Sequence, residues 1–320
     1  MKLIEIKQGI PLIGCIAFGI IDRGTNLLQV RCISSCNMKC QFCSTSANET
    51  CIHPVDYVVN IDYLLSEVKK VAKIKGNGLI IFLDSVGEPL MHPRFVDLIK
   101  GLKKINEVKE VVVITNGVLL TKKKVDELIK AGLDQINLSI HSLDSKKSKL
   151  LFGSDNYDIK KVLDVINYIS KSKIKLMFTP VYLPNVNDSD IEDIIILAKK
   201  LGCEVGLQKY EVYKYSRKMS CVKATNYFKF YKKVKDLENK FSVSLKMNRM
   251  DYVEKRVRIP ETFKKGDKAC VDIVLHGWIK GQMIGMAKER LISVERCEKN
   301  IGDRVNIVIT EIKNNIYLGK

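Results

Sequence analysis

The sequence predicts an α/β fold in which a parallel sheet covered by helices is followed by a small all-β end. Three observations carry this expectation. Short, almost continuously apolar runs alternate with helical patterns from about residue 27 to residue 209. Polar punctuation falls where those runs end: the cysteine-rich "RCISSCNMKCQFC", then "SVGEP", "TNG" and "SIHS". From about Gly266 the pattern becomes short alternating runs separated by glycine and charged turns. Near-continuous apolar strands alternating with helices mark a parallel sheet buried on both faces.

Residues 1–24, "MKLIEIKQGIPLIGCIAFGIIDRG", form an N-terminal extension with a short apolar patch. It lacks the basic start, unbroken apolar stretch and small-residue cleavage site of a signal peptide. No run approaches the ~20 apolar residues of a membrane span, so the expected location is the cytoplasm, with no membrane partner. The first core strand is "LLQVRCI" at 27–33, a helix follows at 60–74, and "GLIIFLD" at 78–84 is the second strand. Helical patterns recur near 94–105, 121–131, 158–171 and 189–200, and strands at 110–115, 134–140, 174–182 and 203–209. This makes six strands with helices between them. Residues 211–263 read as a basic connector completing the core. Within it, 221–241 has helical spacing of Tyr227, Phe230, Tyr231, Val234 and Phe241, a stripe expected to pack inward.

Charge bounds the partners. The 320-residue chain carries a net +18, and Lys209–Arg258 holds fifteen Lys and Arg against five Asp and Glu. A basic surface attracts phosphates and speeds encounter with polyanions. The bland alternative is the Lys-rich surface of a heat-adapted protein. Tyr210, Tyr213 and Tyr215 are interleaved with these charges and are the expected exposed contacts.

Four of the ten cysteines, Cys32, Cys36, Cys40 and Cys43, fall within twelve residues. A reducing cytosol disfavours a disulfide framework, so clustered thiols point to metal binding or chemistry. Cys36, Cys40 and Cys43 form C-x3-C-x2-C on a loop after a strand. Three converging thiolates suit a cubane iron–sulfur cluster and leave one iron open. Zinc is the rival reading, with Cys32 as fourth ligand, but structural zinc sites usually pair two C-x2-C knuckles and no second one is present. Cys32 lies out of the loop's spacing and reads as packing.

This loop, with Phe42 before its last cysteine, resembles the radical S-adenosylmethionine (radical SAM) superfamily. Further landmarks follow in order: "SVGEPLMHPRF" at 85–95, with Val86 where the family has a glycine, "VVVITNGVLL" at 111–120 and "INLSIHSLD" at 136–144. The resemblance spans roughly 25–210 and implies a partial (β/α)6 barrel of TIM type. It further implies a 4Fe–4S cluster on Cys36, Cys40 and Cys43, with SAM chelating the open iron. One-electron reduction, from a ferredoxin- or flavodoxin-like donor, would cleave SAM to a 5′-deoxyadenosyl radical that abstracts hydrogen from substrate. Carried over by position, Phe42, Gly87, Glu88, Pro89, Thr115, Asn116, Ser139 and Gln208 are the cofactor-binding candidates. A plain strand-end loop at 87–89 and a plain Asn116–Gly117 turn are the bland readings. His92, His141, Cys203 and Cys221 are weak catalytic candidates, and the histidines read equally as structural hydrogen-bonding residues. A second cluster would draw on Cys203, Cys221, Cys270 and Cys297, whose wide spacing gives no positive sign of one.

Residues 264–320, from "KKGDKACVDIVL" to "GDRVNIVITEIKNNIYLGK", are similar to TRAM domains, small OB-like β-barrels often attached to RNA-modifying enzymes. Together the resemblances imply modification of a base in tRNA or another structured RNA, by methylation, methylthiolation or a related step. The alternative is maturation of a peptide or small-molecule cofactor precursor. A non-enzymatic RNA-binding iron–sulfur protein is the third class, disfavoured by the intact SAM landmarks.

Overall fold

A computed structural model describes residues 1–245 and 253–320. Part of the basic run, including Lys246 and Arg249, lies outside the described residues. In chain order the strands and helices are β1 (Lys2–Ile6), β2 (Gly19–Asp22), β3 (Leu27–Arg31), β4 (Val55–Val59), α1 (Ile61–Lys75), β5 (Leu79–Leu83), α2 (Phe95–Leu102), β6 (Val108–Thr115), α3 (Lys122–Ala131), β7 (Gln135–Leu138), α4 (Ser145–Phe152), α5 (Ile159–Ile169), β8 (Lys175–Phe178), β9 (Val181–Tyr182), α6 (Asp188–Leu201), β10 (Glu204–Val205), β11 (Gln208–Lys209) and α7 (Tyr227–Phe241). The C-terminal strands are β12 (Lys268–His276), β13 (Gln282–Ala287), β14 (Arg290–Glu295), β15 (Arg304–Lys313) and β16 (Ile316–Gly319).

The chain divides into two compact units. The first holds residues 1–36, 48–111 and the described residues beyond 252; the second holds 37–47 and the described residues between 112 and 245. In the first, β3 pairs parallel with β5, and β2 adds antiparallel to β3. In the second, β6, β7, β8 and β10 pair parallel in that order, with Val112 opposite Gln135 and Gln135 opposite Lys175. β5, "LIIFL", is buried at every position, as a strand covered on both faces must be. The six expected strands are therefore β3, β5, β6, β7, β8 and β10, an α/β fold of the partial-barrel kind.

Local chemistry sets the helix ends. Asn60, Thr121, Asp144, Asp158 and Asn226 each cap a helix by accepting a backbone N–H. Gly132, Gly153 and Gly202 close α3, α4 and α6 in the left-handed conformation. One helix was expected between the fourth and fifth strands, and two are present. The additional α4 has only three apolar residues in "SKKSKLLF", too few for a periodic stripe. β1 and β4, a parallel pair, and β2 were not anticipated either.

The C-terminal strands close into a five-stranded barrel in the order β12-β13-β14-β16-β15, an OB-like form. Its core includes Phe263, Val271, Ile292, Ile307 and Tyr317. It belongs to the first unit and is bonded to the N-terminal residues: Leu291 N–H donates to the Ile13 carbonyl at 2.9 Å, and Lys280 N–H to that of Ile52 at 2.8 Å. A Cβ on Gly14 would lie 2.0 Å from the Leu291 carbonyl oxygen, so only glycine permits this approach.

A buried ion pair secures the segment that leads into the barrel. Lys75 Nζ lies 2.7 Å from Asp22 Oδ1, with both side chains wholly buried, and also donates to the Val257 carbonyl at 3.0 Å. Asp22 in turn accepts from Gly24 N–H and Ile259 N–H, each at 2.8 Å. Every polar atom of the pair thus has work to do, which a buried pair requires. Lys75→Met leaves Asp22 buried without its counter-charge and should cost ~3–5 kcal/mol in chemical denaturation. The double variant Lys75→Met/Asp22→Asn should recover a substantial part of that loss.

Candidate active site

The cysteine loop follows β3 and has no regular structure of its own. Its carbonyls and amides are therefore satisfied by neighbours. In the first unit, Asn48 Nδ2 donates to the Cys36 carbonyl, and Glu88 N–H to that of Ser35 at 2.8 Å. In the second, Lys39 N–H donates to the Phe152 carbonyl at 3.0 Å and Gln41 N–H to that of Leu151 at 2.9 Å, so the end of α4 runs beside the loop like a strand. A Cβ on Gly153, which closes α4 at φ +59°, would sit 2.1 Å from the Lys39 carbonyl oxygen.

A strap after β11 covers the other side of this stretch. Arg217 N–H donates to the Cys43 carbonyl at 2.8 Å. Its guanidinium donates to the Cys40 carbonyl at 2.8 Å and the Ala47 carbonyl at 3.1 Å. Ser216 Oγ donates to the Ser44 carbonyl at 2.9 Å. Beneath the strap, Phe42 is buried with Leu151, Leu183, Tyr210 and Val222. Tyr210, expected to be exposed, is instead 2% exposed, and its hydroxyl accepts from Met219 N–H. Its ring anchors the strap, a long-range role that the local charge pattern around it concealed.

Cys36, Cys40 and Cys43 are all half-buried, whereas Cys15 and Cys32 are sealed. Burial pushes the Cys32 thiol up to about 12 and the Cys15 thiol up to about 11, so both stay protonated. A protonated, enclosed Cys32 is a poor fourth ligand for zinc. Among the described residues no three His, Cys, Asp or Glu side chains gather tightly enough to hold a single metal ion. The loop carries three half-buried thiols within eight residues, a donor set whose chemistry suits an iron–sulfur cluster. A buried hydroxyl, that of Tyr157, interacts electrostatically with Cys40 and has no hydrogen-bond partner among the described residues.

The other candidates divide by unit. In the first, a Cβ on Gly87 would meet the Ser34 and Ser35 carbonyl oxygens at 2.3 and 2.1 Å, which explains why glycine is required there. Glu88 is buried, and its carboxylate accepts from Leu90 N–H to cap the short 3-10 turn Pro89–Met91. His92 is held between the Val59 carbonyl and Arg94 N–H, and burial lowers its pKa. In the second, Thr115 accepts from Gly117 N–H, and Asn116 both closes that turn and reaches Asn37 of the cysteine loop at 2.7 Å. The Asn116 turn is thus tied to the loop rather than isolated. Ser139 is half-buried beside it, its N–H bonded to the Thr115 carbonyl. Gln208 sits in β11 and donates to the Gly206 carbonyl.

His141 accepts from Val181 N–H and meets Phe42 edge-on at 4.7 Å. Burial pushes its imidazole down to about 3. Cys203 is half-buried with its thiol raised by burial, and Cys221 is exposed. The environments of His92 and His141 are those of structural hydrogen-bonding residues. The structure adds three residues to the loop's surroundings that sequence reading did not find: Tyr157, Ser216 and Arg217. Nothing local signals Arg217, whose partner Cys40 is 177 residues away.

A parallel α/β fold with a solvent-reachable three-cysteine loop beyond its first core strand defines an iron–sulfur enzyme of the barrel class. The Radical SAM superfamily model matches residues 30–198. An uncharacterized protein of Methanocaldococcus jannaschii is 38% identical over 100% of this chain and 80% of its own length. A GTP 3′,8-cyclase of Clostridium perfringens is 33% identical over 56% of this chain and 53% of the cyclase, so this chain spans about half of that relative. Streptococcus suis SuiB bound to S-adenosylmethionine superposes with a TM-score of 0.53 at 19% identity, covering 69% of this chain and 49% of SuiB. The chain belongs to the radical SAM superfamily, whose members use a 4Fe–4S cluster, SAM and an electron donor. Among the described residues no helix is long and apolar enough to cross a membrane.

Iron counting after anaerobic reconstitution should show the cluster lost in Cys36→Ala, Cys40→Ala and Cys43→Ala and retained in Cys32→Ala. Equal loss in Cys32→Ala would overturn the ligand assignment. The His141 environment has a pH signature. The folded state leaves this ring neutral down to about pH 3, whereas the unfolded chain protonates it below about 6.5. The unfolded state therefore binds the extra proton, and stability falls on acidification through that window by up to ~1.4 kcal/mol per pH unit. Denaturation of His141→Gln against pH should show a correspondingly shallower acid loss than wild type.

Proposed function

We propose that this chain is a radical SAM enzyme that modifies a base of a structured RNA, most plausibly a tRNA. The observation that supports an RNA substrate is the outer face of α7. Its inward stripe is Phe230, Val234 and Leu237. Its outward stripe sets Phe228 and Tyr231, 79% and 50% exposed, beside Lys232 and Lys235 at i, i+3, i+4 and i+7. The helical stripe was expected to pack inward as a whole; Tyr227 and Tyr231 instead face solvent because Phe230, Val234 and Leu237 complete the buried face. Exposed rings interleaved with lysines match single-stranded nucleic acid, which offers base faces for stacking and phosphates for charge. The small OB-like barrel is a second feature in keeping with this reading.

In this reading Cys36, Cys40 and Cys43 hold the 4Fe–4S cluster. When bound, the cluster and SAM supply a 5′-deoxyadenosyl radical that takes hydrogen from substrate. The chain's own residues bind and orient. Gly87 lets the backbone of the 85–89 loop lie against the start of the cysteine loop, where Glu88 and Pro89 present that backbone to SAM. Thr115, Asn116 and Ser139 offer polar groups at strand ends in the second unit, and Gln208 is assigned to the adenine end. Phe42 and its apolar neighbours keep water from the loop's inner side, and the reducing electron comes from a ferredoxin- or flavodoxin-like protein.

A second reading has its own support. The cyclases matched over half of this chain act, by name, on GTP, which favours a free nucleotide as substrate. Binding separates the two. Filter binding of tRNA should weaken steeply with salt, and Phe228→Ala should cost ~1–3 kcal/mol of affinity. A salt-insensitive or absent interaction with RNA, together with calorimetric GTP binding that is indifferent to Phe228→Ala, would transfer the assignment to the nucleotide.

A further inference from the structure

The Tyr157 side chain is wholly buried, yet its hydroxyl has no hydrogen-bond partner among the described residues. An unsatisfied buried hydroxyl costs on the order of 1–3 kcal/mol, and native proteins seldom carry that cost without a reason. The ring is fixed rather than loose. It stacks on Phe152 with centroids 4.1 Å apart and planes at 15°, and the Phe152 carbonyl is the one that holds Lys39 N–H, next to Cys40. Burial favours the neutral phenol, and Cys40 is the charged group that acts on it in the same direction. The hydroxyl therefore keeps its proton and is a donor. The Arg217 guanidinium is bonded to the Cys40 carbonyl at 2.8 Å and to the Ala47 carbonyl at 3.1 Å. An unpartnered buried hydroxyl, stacked on the residue that holds Lys39, and a guanidinium bonded to the Cys40 carbonyl thus lie along the same stretch of the cysteine loop.

We propose that Tyr157 and Arg217 are positioning residues for the cluster: the Tyr157 hydroxyl donates to the Cys40 sulfur of the loaded loop, and the Arg217 guanidinium places a fixed positive charge beside it, together raising the cluster's reduction potential. This rests on the reading that Cys40 is a cluster ligand. Hydrogen bonds to the sulfurs, net charge and solvent exposure are what set the potential of an iron–sulfur centre. Both groups favour the reduced, more negative state. The unpartnered hydroxyl would then gain its acceptor only in the loaded loop.

The test is an anaerobic redox titration of the reconstituted full chain, followed by electron paramagnetic resonance, with thermal unfolding of the apoprotein in parallel. Tyr157→Phe removes only the unpartnered hydroxyl, so the apoprotein should unfold at or above the wild-type temperature. The loaded variant should be harder to reduce, with about a tenfold lower ratio of reduced to oxidised cluster at a fixed poise, ~59 mV for one electron. Arg217→Gln should shift the same way and lose iron faster to a chelator, and Arg217→Lys should restore most of the potential but not the retention. Wild-type potentials in both Tyr157→Phe and Arg217→Gln at wild-type iron content would overturn the proposal. So would a Tyr157→Phe apoprotein that fails to fold, since that would give the hydroxyl a structural role. A wild-type chain that takes up no iron, or keeps it in Cys40→Ala, would remove the cluster reading beneath it and is distinguishable from either result.

Discussion

The cysteine loop has no helix or strand of its own, and that constraint organises much of this molecule. Within residues 36–43 the Cys43 N–H bonds to the Cys40 carbonyl at 3.2 Å, and most of the other backbone polar groups take partners from elsewhere. The partners are specific. The last residues of α4 accept from Lys39 and Gln41, and Gly153 ends it in a left-handed conformation where a Cβ would collide with the Lys39 carbonyl. The 85–89 loop has a glycine because Ser34 and Ser35 occupy the space a Cβ would need. The strap at 216–217 supplies four donors to the carbonyls of Cys40, Cys43, Ser44 and Ala47. A loop without its own structure has thus been made rigid by chain distant in sequence, which a site for precise radical chemistry needs.

What could be read from the sequence follows from which forces are local. The core strands were legible because burial on both faces makes them uniformly apolar, as in β5. The cysteine loop and the Gly87 position were legible because their spacing is local. α4 was not, since most of its eight residues are polar and its stability comes from the loop it supports. Arg217, Tyr157 and the burial of Tyr210 were not legible for a related reason. Each acts through contacts that a sequence window cannot contain, and in sequence Arg217 and Tyr210 are merely part of a basic, aromatic run. The exposed half of the α7 stripe was misjudged because apolar spacing marks every aromatic position, not only those that find a partner.

The same dependence on distant chain holds the C-terminal barrel. Within the first unit the barrel is not a bead on a string. Asp22 lies at the end of β2, Lys75 at the end of α1, and Ile259 just ahead of the barrel, and one fully satisfied ion pair joins all three. His53 stacks on Trp278 at 3.9 Å, and Tyr57, at the centre of β4, donates its hydroxyl to the His276 carbonyl. The sequence boundary near 258–265 is visible as a change of pattern, but mechanically the residues on either side of it are bonded to the same N-terminal strands. A barrel fastened in this way is a fixed surface of the first unit rather than a tethered module.

The titratable groups in these surroundings share one property. Burial moves His141 down to about 3, raises Tyr157, lowers His92 and raises Cys32 to about 12. His141, Tyr157 and Cys32 therefore stay neutral across the physiological range, and His92 is shifted toward its neutral form, while the Arg217 guanidinium is bonded to the Cys40 carbonyl. For a centre that must accept an electron at low potential this matters. A neighbouring group that titrated near neutrality would make the potential drift with pH and would offer a proton to a reactive radical. In the second unit, buried neutral groups such as Tyr157 and His141 avoid both and leave tuning to hydrogen-bond geometry, where single conservative substitutions can reach it.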